Sequence, residues 1–545
     1  ALQDVKVLVT SQVPSRLESE CRLPLDALDE DAALALIERV VRQRGTTISM
    51  RATDRQALVD VVRLLDGLPL GLELAAARLG LLSPEQLRDR MSESTELLTD
   101  RSAERPDRQR SLRATVEWTL GLLADGPRAL FLRLGAFASA APLEHLEAVA
   151  GADGLDVLEA LARLLDVALV RRVESGDGRL RFGLPEALRQ IAARLLDSAP
   201  DGHRWRRAHA EHQRELAWAA RTLIVSAPVF REAVEADVEA AAALRWALAA
   251  DEPLARSLGV ARAMLLVDTG RVREAMGLIE PLVARRSGDA AVDSLAFAAH
   301  AIGLAVNNRM REAIASSNRS VEIAADADPE SRAFALIERG VVHVYRGQAK
   351  AAVPDHEQAT ALARHLGPAA LAGALSYEAQ ARIFAGEFER AAEQLEQVRR
   401  IGTPADAKAI WHIDTLLGDL AARSGHPQAA LEPYTRSLGA AEARGDQLQI
   451  FHDLLGLANA LAMTGDDAGA VEAIGLSEAQ SEDVRGFAGD TTEVLPGGES
   501  ITAATNRLGP ALAAELRARG RAVQAGERVV VACQLARTQQ ATTST

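Results

Sequence analysis

Apolar positions follow two periods along this chain. Val5-Lys6-Val7-Leu8-Val9-Thr10 is a short β-branched run, the pattern of one buried strand of an α/β sheet. A lone strand is unstable, so its sheet partners are expected upstream or from later elements. From Asp29 the period turns helical. Leu34, Ile37, Val40 and Val41 form a stripe behind Asp29-Glu30-Asp31, acids that complement a helix start. Thr53-Asp54 begins a second helix, which Gly67-Leu68-Pro69-Leu70 interrupts. A third is predicted over Leu72–Leu82, and Ser83-Pro84-Glu85 caps a fourth with Pro at the first helical position. The polar stretch Arg101–Asp107 reads as a linker. Helices are predicted over 112–123, 128–137 and 155–165. Two β-type runs, 168–173 and 179–182, then flank Glu174-Ser175-Gly176-Asp177-Gly178, which is hairpin turn chemistry. Pro185 opens a further helix to Leu196. Helices followed by one hairpin predict a small winged-helix domain.

Beyond about Gly202 the pattern is helical throughout and repeats itself. A small turn residue is followed five positions later by Ala in Gly270/Ala275, Asn308/Ala313, Gly347/Ala352, Gly386/Ala391, Gly425/Ala430 and Gly465/Ala470. The turn residues are 38, 39, 39, 39 and 40 positions apart. A fixed period of this length predicts a solenoid of helix pairs, each burying its face only against its neighbours. Leu375, Ala379 and Ile383 line the first helix of one pair; Ala391, Ala392 and Leu395 line the second, where Ala lets two backbones approach. Gly489–Ser500 reads as a loop. Helices are predicted over 508–516 and 529–535, and Gln539–Thr545 as a disordered tail.

Composition narrows the function. Aromatics are only 3% of the 545 residues, so Ala and Leu must fill the interior, which favours close-packed helices. A net charge of −14 excludes nucleic-acid binding by the surface as a whole; such contact would have to be local. Arg171, Arg172, Arg179 and Arg181 on the hairpin are the local candidates, for DNA phosphates or for docking within the chain. Residues 101–200 hold 14 Arg and 14 acids, so docking is favoured. Cys21 and Cys533 lie at opposite ends and make no metal motif, which suits a reducing, cytoplasmic compartment. No apolar run approaches the ~18 residues of a membrane span. His203, His209 and His212 are the one histidine cluster; no ligand set completes them, and an exposed helix is expected rather than a metal site. The phosphate-loop pattern G-x-x-x-x-G-K-[ST] is absent, so no enzyme is expected in this chain unaided.

Six segments carry a family resemblance. Val7-Leu8-Val9-Thr10-Ser11 with Pro14-Ser15-Arg16 looks like the sensor strand of NB-ARC-type ATPases. Leu65-Asp66-Gly67-Leu68-Pro69-Leu70-Gly71-Leu72-Glu73-Leu74-Ala75-Ala76 resembles that family's Gly-x-Pro motif. Gln109 to Trp118 and Arg181 to Ala192 resemble the start and end of its winged helix. Ala208 to His212 and Leu244 to Leu248 look like the linker into the repeats. In order, they resemble the STAND class of signal-transduction ATPases, specifically the bacterial LuxR-type or cyclase-linked regulators.

The resemblance implies a mainly α chain. A remnant NTPase strand would occupy 1–28, a helical lid 29–100, the winged helix 101–200, TPR-like repeats 201–480, and a helical cap with a disordered tail 481–545. It implies an ATP/ADP switch gated by a signal at the repeats, with Pro69 on the adenine, Gly67 shaping that turn, and Thr10 and Gln12 at the strand end near the γ-phosphate. Gln12 stands where the family has Arg and cannot supply a cationic contact, and Pro185 stands where relatives have His. The Walker A and B segments would precede Ala1, so ATP or ADP is expected weakly or only with that segment, and no metal. The expected function is the regulatory and sensor portion of an ATP-dependent transcriptional regulator. Its repeats would bind a protein or small inducer; self-association, indirect DNA contact and no membrane are expected. The alternatives are an ATP-hydrolysing switch completed upstream, a winged-helix DNA binder, or a degenerate repeat scaffold.

Overall fold

The computed structural model describes residues 27–43, 51–93, 111–174, 179–220, 227–401, 413–485 and 498–543. The strand expected over 5–10, with Thr10 and Gln12, therefore lies outside the described residues, as do the 101–107 linker, the wing tip and Cys21. The chain divides into two units, Ala1–His212 and Gln213–Thr545.

Among the described residues the first unit opens with four helices: α1 (Glu30–Gln43), α2 (Ala52–Leu64), α3 (Pro69–Ala76) and α4 (Pro84–Glu93). Asp29 caps α1 by accepting the Ala32 amide at 2.8 Å. Ser83 and Gln86 cap α4 reciprocally, each side chain accepting the other's amide at 3.2 and 3.1 Å. Leu34, Ile37, Val61, Val62, Leu72 and Leu87 are buried between these helices. Helix α3 stops at Ala76, short of the expected Leu82. Its hydrogen bonds tighten to a three-residue step at Arg78 and Leu79 just before Gly80.

The winged helix follows: α5 (Leu112–Gly121), α6 (Asp125–Leu134), β1 (Ala141–Pro142), α7 (Leu143–Ala150), α8 (Val157–Asp166), β2 (Arg171–Glu174), β3 (Leu180–Gly183) and α9 (Glu186–Ser198). The hairpin β2–β3 forms as its turn chemistry predicts, with Arg172 opposite Phe182 and Val173 opposite Arg181. A third strand joins it: β1 pairs antiparallel with β3, giving the order β1-β3-β2. Phe131, Leu134, Leu161, Leu164 and Ile191 fill the core. Helix α6 crosses α9 so closely that a Cβ on Gly135 would meet the Ala192 backbone.

Helix α10 (Gly202–Ala220) contains the unit boundary. His203 is exposed as expected from sequence, but His209 and His212 are not. Trp205 is buried in the first unit's core beneath the Arg133 guanidinium, 3.7 Å from the ring centre. His209 is 2% exposed against Phe137, and His212 meets His145 edge-on, both with ring centres 4.8 Å apart. Anchoring by Trp205 turns this histidine face inward.

In the second unit α11 (Ala227–Glu235) and α12 (Asp237–Ala250) precede six helix pairs. They are α13 (Glu252–Asp268) with α14 (Val272–Ala284), α15 (Ala290–Val306) with α16 (Met310–Ala324), and α17 (Pro329–Tyr345) with α18 (Ala349–Ala363). Then come α19 (Pro368–Ala385) with α20 (Phe388–Arg400), α21 (Ile413–Arg423) with α22 (Pro427–Arg444), and α23 (Gln447–Thr464) with α24 (Asp467–Arg485). All six predicted turn residues have positive φ, from 58° at Asn308 to 90° at Gly425. The Ala five positions after each is buried to 1% exposure or less.

Three helices cap the last pair: α25 (Gly498–Leu508), α26 (Pro510–Arg521) and α27 (Arg528–Thr543). Helix α26 crosses α24 glycine on glycine. A Cβ on Gly475 would overlap the Arg517 carbonyl, and one on Gly520 the Glu472 carbonyl. Arg519 Nε donates to buried Glu472 at 2.8 Å beside that crossing, and Arg517 and Arg521 reach Glu478. The tail expected to be disordered from Gln539 is helical to Thr543, because Val529, Ala532 and Ala536 pack it into the last pair's core.

Candidate functional site

Helix α2 ends in two consecutive left-handed residues, Asp66 at φ 49° and Gly67 at φ 66°. Asp tolerates this conformation better than most side chains, and Gly adopts it freely. The Gly67 amide donates back to the Val62 carbonyl at 3.1 Å, closing the helix end. Its own carbonyl accepts from the Leu28 amide at 3.1 Å, and a Cβ there would overlap the Leu28 carbonyl, so only glycine fits. Pro69 then sits exposed at the first position of α3, where a missing N–H costs nothing.

The Asp66 carboxylate carries the turn's second connection. One oxygen accepts from the Arg171 guanidinium at the start of β2. The other accepts from the Glu186 backbone amide at 2.8 Å, the first amide of α9. The cap position of α9 is Pro185, which supplies no side-chain acceptor, so Asp66 caps α9 from 120 residues away. One turn thus holds the chain before α1, the hairpin and the last winged-helix helix.

The four hairpin arginines do not form one basic strip. Arg171 is committed to Asp66, Arg181 is half-buried, and Arg172 and Arg179 are exposed. Helix α8, which precedes the hairpin, occupies the position that reads a DNA groove in winged helices. Its exposed side carries Leu158, Glu159, Ala162 and Asp166. Its one cation, Arg163, is paired with Glu159 at 2.9 Å and with Asp166 at 3.8 Å. No amide or hydroxyl side chain is available there to read base edges.

Polar clusters thread the helix pairs, some buried and some reaching the surface. Arg262 and Arg271 grip Asp237 and Glu274. Burial raises the Asp237 carboxyl and its two arginine bonds outweigh that, leaving it below its ordinary value. Between the last two pairs, Asp453 is fully buried and accepts from Thr415 Oγ1 at 2.7 Å and Gln449 Nε2 at 2.9 Å. Its second oxygen has no hydrogen-bond partner. Burial pushes this carboxyl up to about 7, against the opposing pull of the Ser437, Thr415 and Gln449 side chains. The first helices of the pairs carry a stripe of larger side chains on one side. Phe297, His300, Val341, Tyr345, Tyr377 and Gln380 are all half-buried.

Among the described residues no cluster of three or more His, Cys, Asp and Glu could hold a metal ion, and no helix is long and apolar enough to cross a membrane. Sequence reasoning missed Asp66. The available signal was an acid immediately before the Gly-Leu-Pro turn, with arginines at the hairpin's start.

Residues 123–197 match the family model of a winged helix-turn-helix domain. A Mycobacterium tuberculosis protein whose name marks it as a provisional HTH-type transcriptional regulator is 32% identical over 219 residues, covering 39% of this chain and 24% of that protein. An uncharacterized protein of the same organism is 32% identical over 199 residues, covering 35% of this chain and 50% of its own length. The chain thus spans about a quarter and a half of these relatives. A crystal structure of a STAND protein with a tetratricopeptide repeat sensor from Pyrococcus horikoshii aligns over 91% of this chain and 75% of its own, at 13% identity and a TM-score of 0.41. The winged-helix match spans residues 181–192, one of the segments that carry the resemblance.

Proposed function

We propose that this chain, a relative of the STAND-type regulators, is the regulatory and sensor part of an ATP-dependent bacterial transcriptional regulator acting in the cytoplasm. The lid turn and winged helix gate a nucleotide switch, and the helix pairs engage a protein or small inducer. The chain's own activity is binding. Exposed Pro69 offers an apolar ring beside the Gly67 turn on which a nucleotide base can rest. The pattern of a Walker A loop does not occur in these 545 residues, so on this reading phosphate contacts would come from an NTPase segment joined to them. ATP or ADP would supply the difference between two states there, and the residues of this chain would respond to it.

The observation that supports this reading is the Asp66 junction. The turn that by resemblance faces the nucleotide is bonded to both the hairpin and α9. A shift of that turn must therefore move or release the winged helix. The neutralised outer side of α8 favours this gating role over reading DNA. The test uses the intact regulator with its NTPase segment. Pro69→Ala and Arg171→Ala should each blunt the difference between ADP and ATP in self-association, measured by light scattering. An unchanged nucleotide response in both would refute the gate. ATP turnover by residues 1–545 alone would make the chain an enzyme. Salt-sensitive duplex-DNA binding lost in Arg171→Ala/Arg172→Ala would make it a DNA binder. Normal folding with no nucleotide response in the intact protein would leave a repeat scaffold.

A further inference from the structure

In a linear array of helix pairs each pair touches only its neighbours. Here the sixth pair breaks that rule three times. Tyr345, at the end of α17 in the third pair, shares a 2.7 Å hydrogen bond between its hydroxyl and His452 Nε2 on α23, with ring centres 5.7 Å apart. Leu448, one turn from His452, packs into the apolar core built by pairs one to four, the same core that Tyr345 and Tyr377 lean on. Helix α14 of the first pair touches α24 of the sixth. The array has closed on itself, and the half-buried stripe of Phe297, His300, Tyr345, Tyr377 and Gln380 is the face it has closed over.

We propose that the Tyr345–His452 contact is a latch that controls access to the inner face of the helix pairs. The proposal rests on the reading of those pairs as a sensor. Three features support a reversible joint. The hydroxyl–imidazole contact is made by two polar side chains, neither fully buried, and the apolar contact beside it, Leu448, is itself only half-buried. It lies at the far end of α17, where unwinding a single turn releases it. The contact bridges 107 residues of chain, so small changes of twist at each intervening pair sum at this point. A ligand or peptide reaching the inner stripe must first part Tyr345 from His452, and one that binds there holds them apart. An effector with higher affinity for the open array then shifts the population toward it.

The test is reciprocal and needs no identified effector. Amide exchange is followed in full-length protein carrying Tyr345→Phe, which keeps the ring and removes the hydroxyl, and separately His452→Ala. Losing one net hydrogen bond should raise exchange by about 2- to 10-fold. His452→Ala in the sixth pair should raise it at the end of α17, and Tyr345→Phe should raise it around 448–456, while α19 and α20 between them change little. Effects confined to the substituted pair and its chain neighbours would overturn the closure. Access is read with a thiol at Gln380→Cys, in a background of Cys21→Ser and Cys533→Ser, by its rate of reaction with a maleimide. The rate should rise in both latch variants; an unchanged rate despite faster exchange would overturn the latch's control of the inner face. If exchange and labelling both rise but the ADP/ATP difference in self-association of the intact regulator is the same with and without the latch substitutions, the latch stands and the sensor reading fails.

Discussion

Replacing Asp66 by Ala removes the acceptor that joins the lid turn to the winged helix, and the two bonds it makes differ in worth. The Arg171 side chain is 51% exposed and Asp66 only 16%. An ion pair so open to solvent contributes about 0.5–1 kcal/mol. The bond to the Glu186 amide caps a helix whose own cap residue is proline, and losing a cap costs about 1–2 kcal/mol. Alanine must also hold φ near 49°, at about 1 kcal/mol. Asp66→Ala should therefore cost about 2–4 kcal/mol and Arg171→Ala no more than about 1. For a unit of this size the first should lower its thermal midpoint by roughly 5–10 °C. Two units need not unfold together, so the transition is best assigned by amide exchange in the first turn of α9, which should accelerate in Asp66→Ala and stay near wild type in Arg171→Ala. The double variant should cost no more than Asp66→Ala alone, since Arg171 has lost its partner in both. Equal costs for the two single variants, or an undisturbed α9 in Asp66→Ala, would refute the assignment of Asp66 as the cap of α9.

Gly67→Ala should cost about 2–3 kcal/mol, from left-handed strain plus loss of the Leu28 hydrogen bond, and should deprotect the Leu28 amide to exchange. Gly520→Ala should force α26 off α24 and lower the second unit's stability by about 1–3 kcal/mol in urea unfolding, whereas alanine at exposed Gly439, with nothing within 4 Å, should not. Asp453 is raised from 3.8 to about 7 by burial, so the folded state holds a proton that the unfolded chain gives up. Its contribution is complete below about pH 4 and is lost as pH rises through about 7, a loss of at most about 4 kcal/mol. Asp453→Asn keeps an acceptor for Thr415 and Gln449, so it should be more stable than the wild type above pH 7 and indistinguishable from it near pH 4. Parallel pH–stability curves from denaturant melts would contradict this.

What the sequence reveals in advance is what a backbone demands locally. The six turn residues were readable because a left-handed helix end needs Gly or Asn, and the Ala five positions on because two backbones meet there. The hairpin was readable from its Gly-rich turn. Strand β1 was not: two residues, Ala141-Pro142, carry no alternation and become a strand only beside β3. The tail helix was masked by its Thr- and Gln-rich end, although Val529, Ala532 and Ala536 already marked one apolar face. His209 was read as exposed because the deciding residue is Trp205, one turn earlier, whose pocket under Arg133 is assembled from residues far upstream. In the candidate site, Gly67 and Pro69 stood out as punctuation. Asp66 did not, because its partners lie 105 and 120 residues away and no period connects them.

Two kinds of joint hold the packed elements together. Where the molecule fixes two elements permanently it uses backbone contact: α26 on α24 at Gly475 and Gly520, α6 on α9 at Gly135. Such crossings cannot loosen without losing the packing of two whole helices, and close-packed interiors respond to that as all or nothing. Asp66 with Arg171 and Tyr345 with His452 are different in kind. Each bridges more than a hundred residues with side-chain polar atoms that water can replace, so parting the polar contact itself costs about one or two hydrogen bonds, to which half-buried Leu448 adds its apolar contact beside the second. That cost is within reach of what a bound ligand supplies through differential affinity, typically about 1–3 kcal/mol. A switch assembled on this chain would therefore act at these two polar joints, one in each unit, and leave the glycine crossings untouched in both of its states.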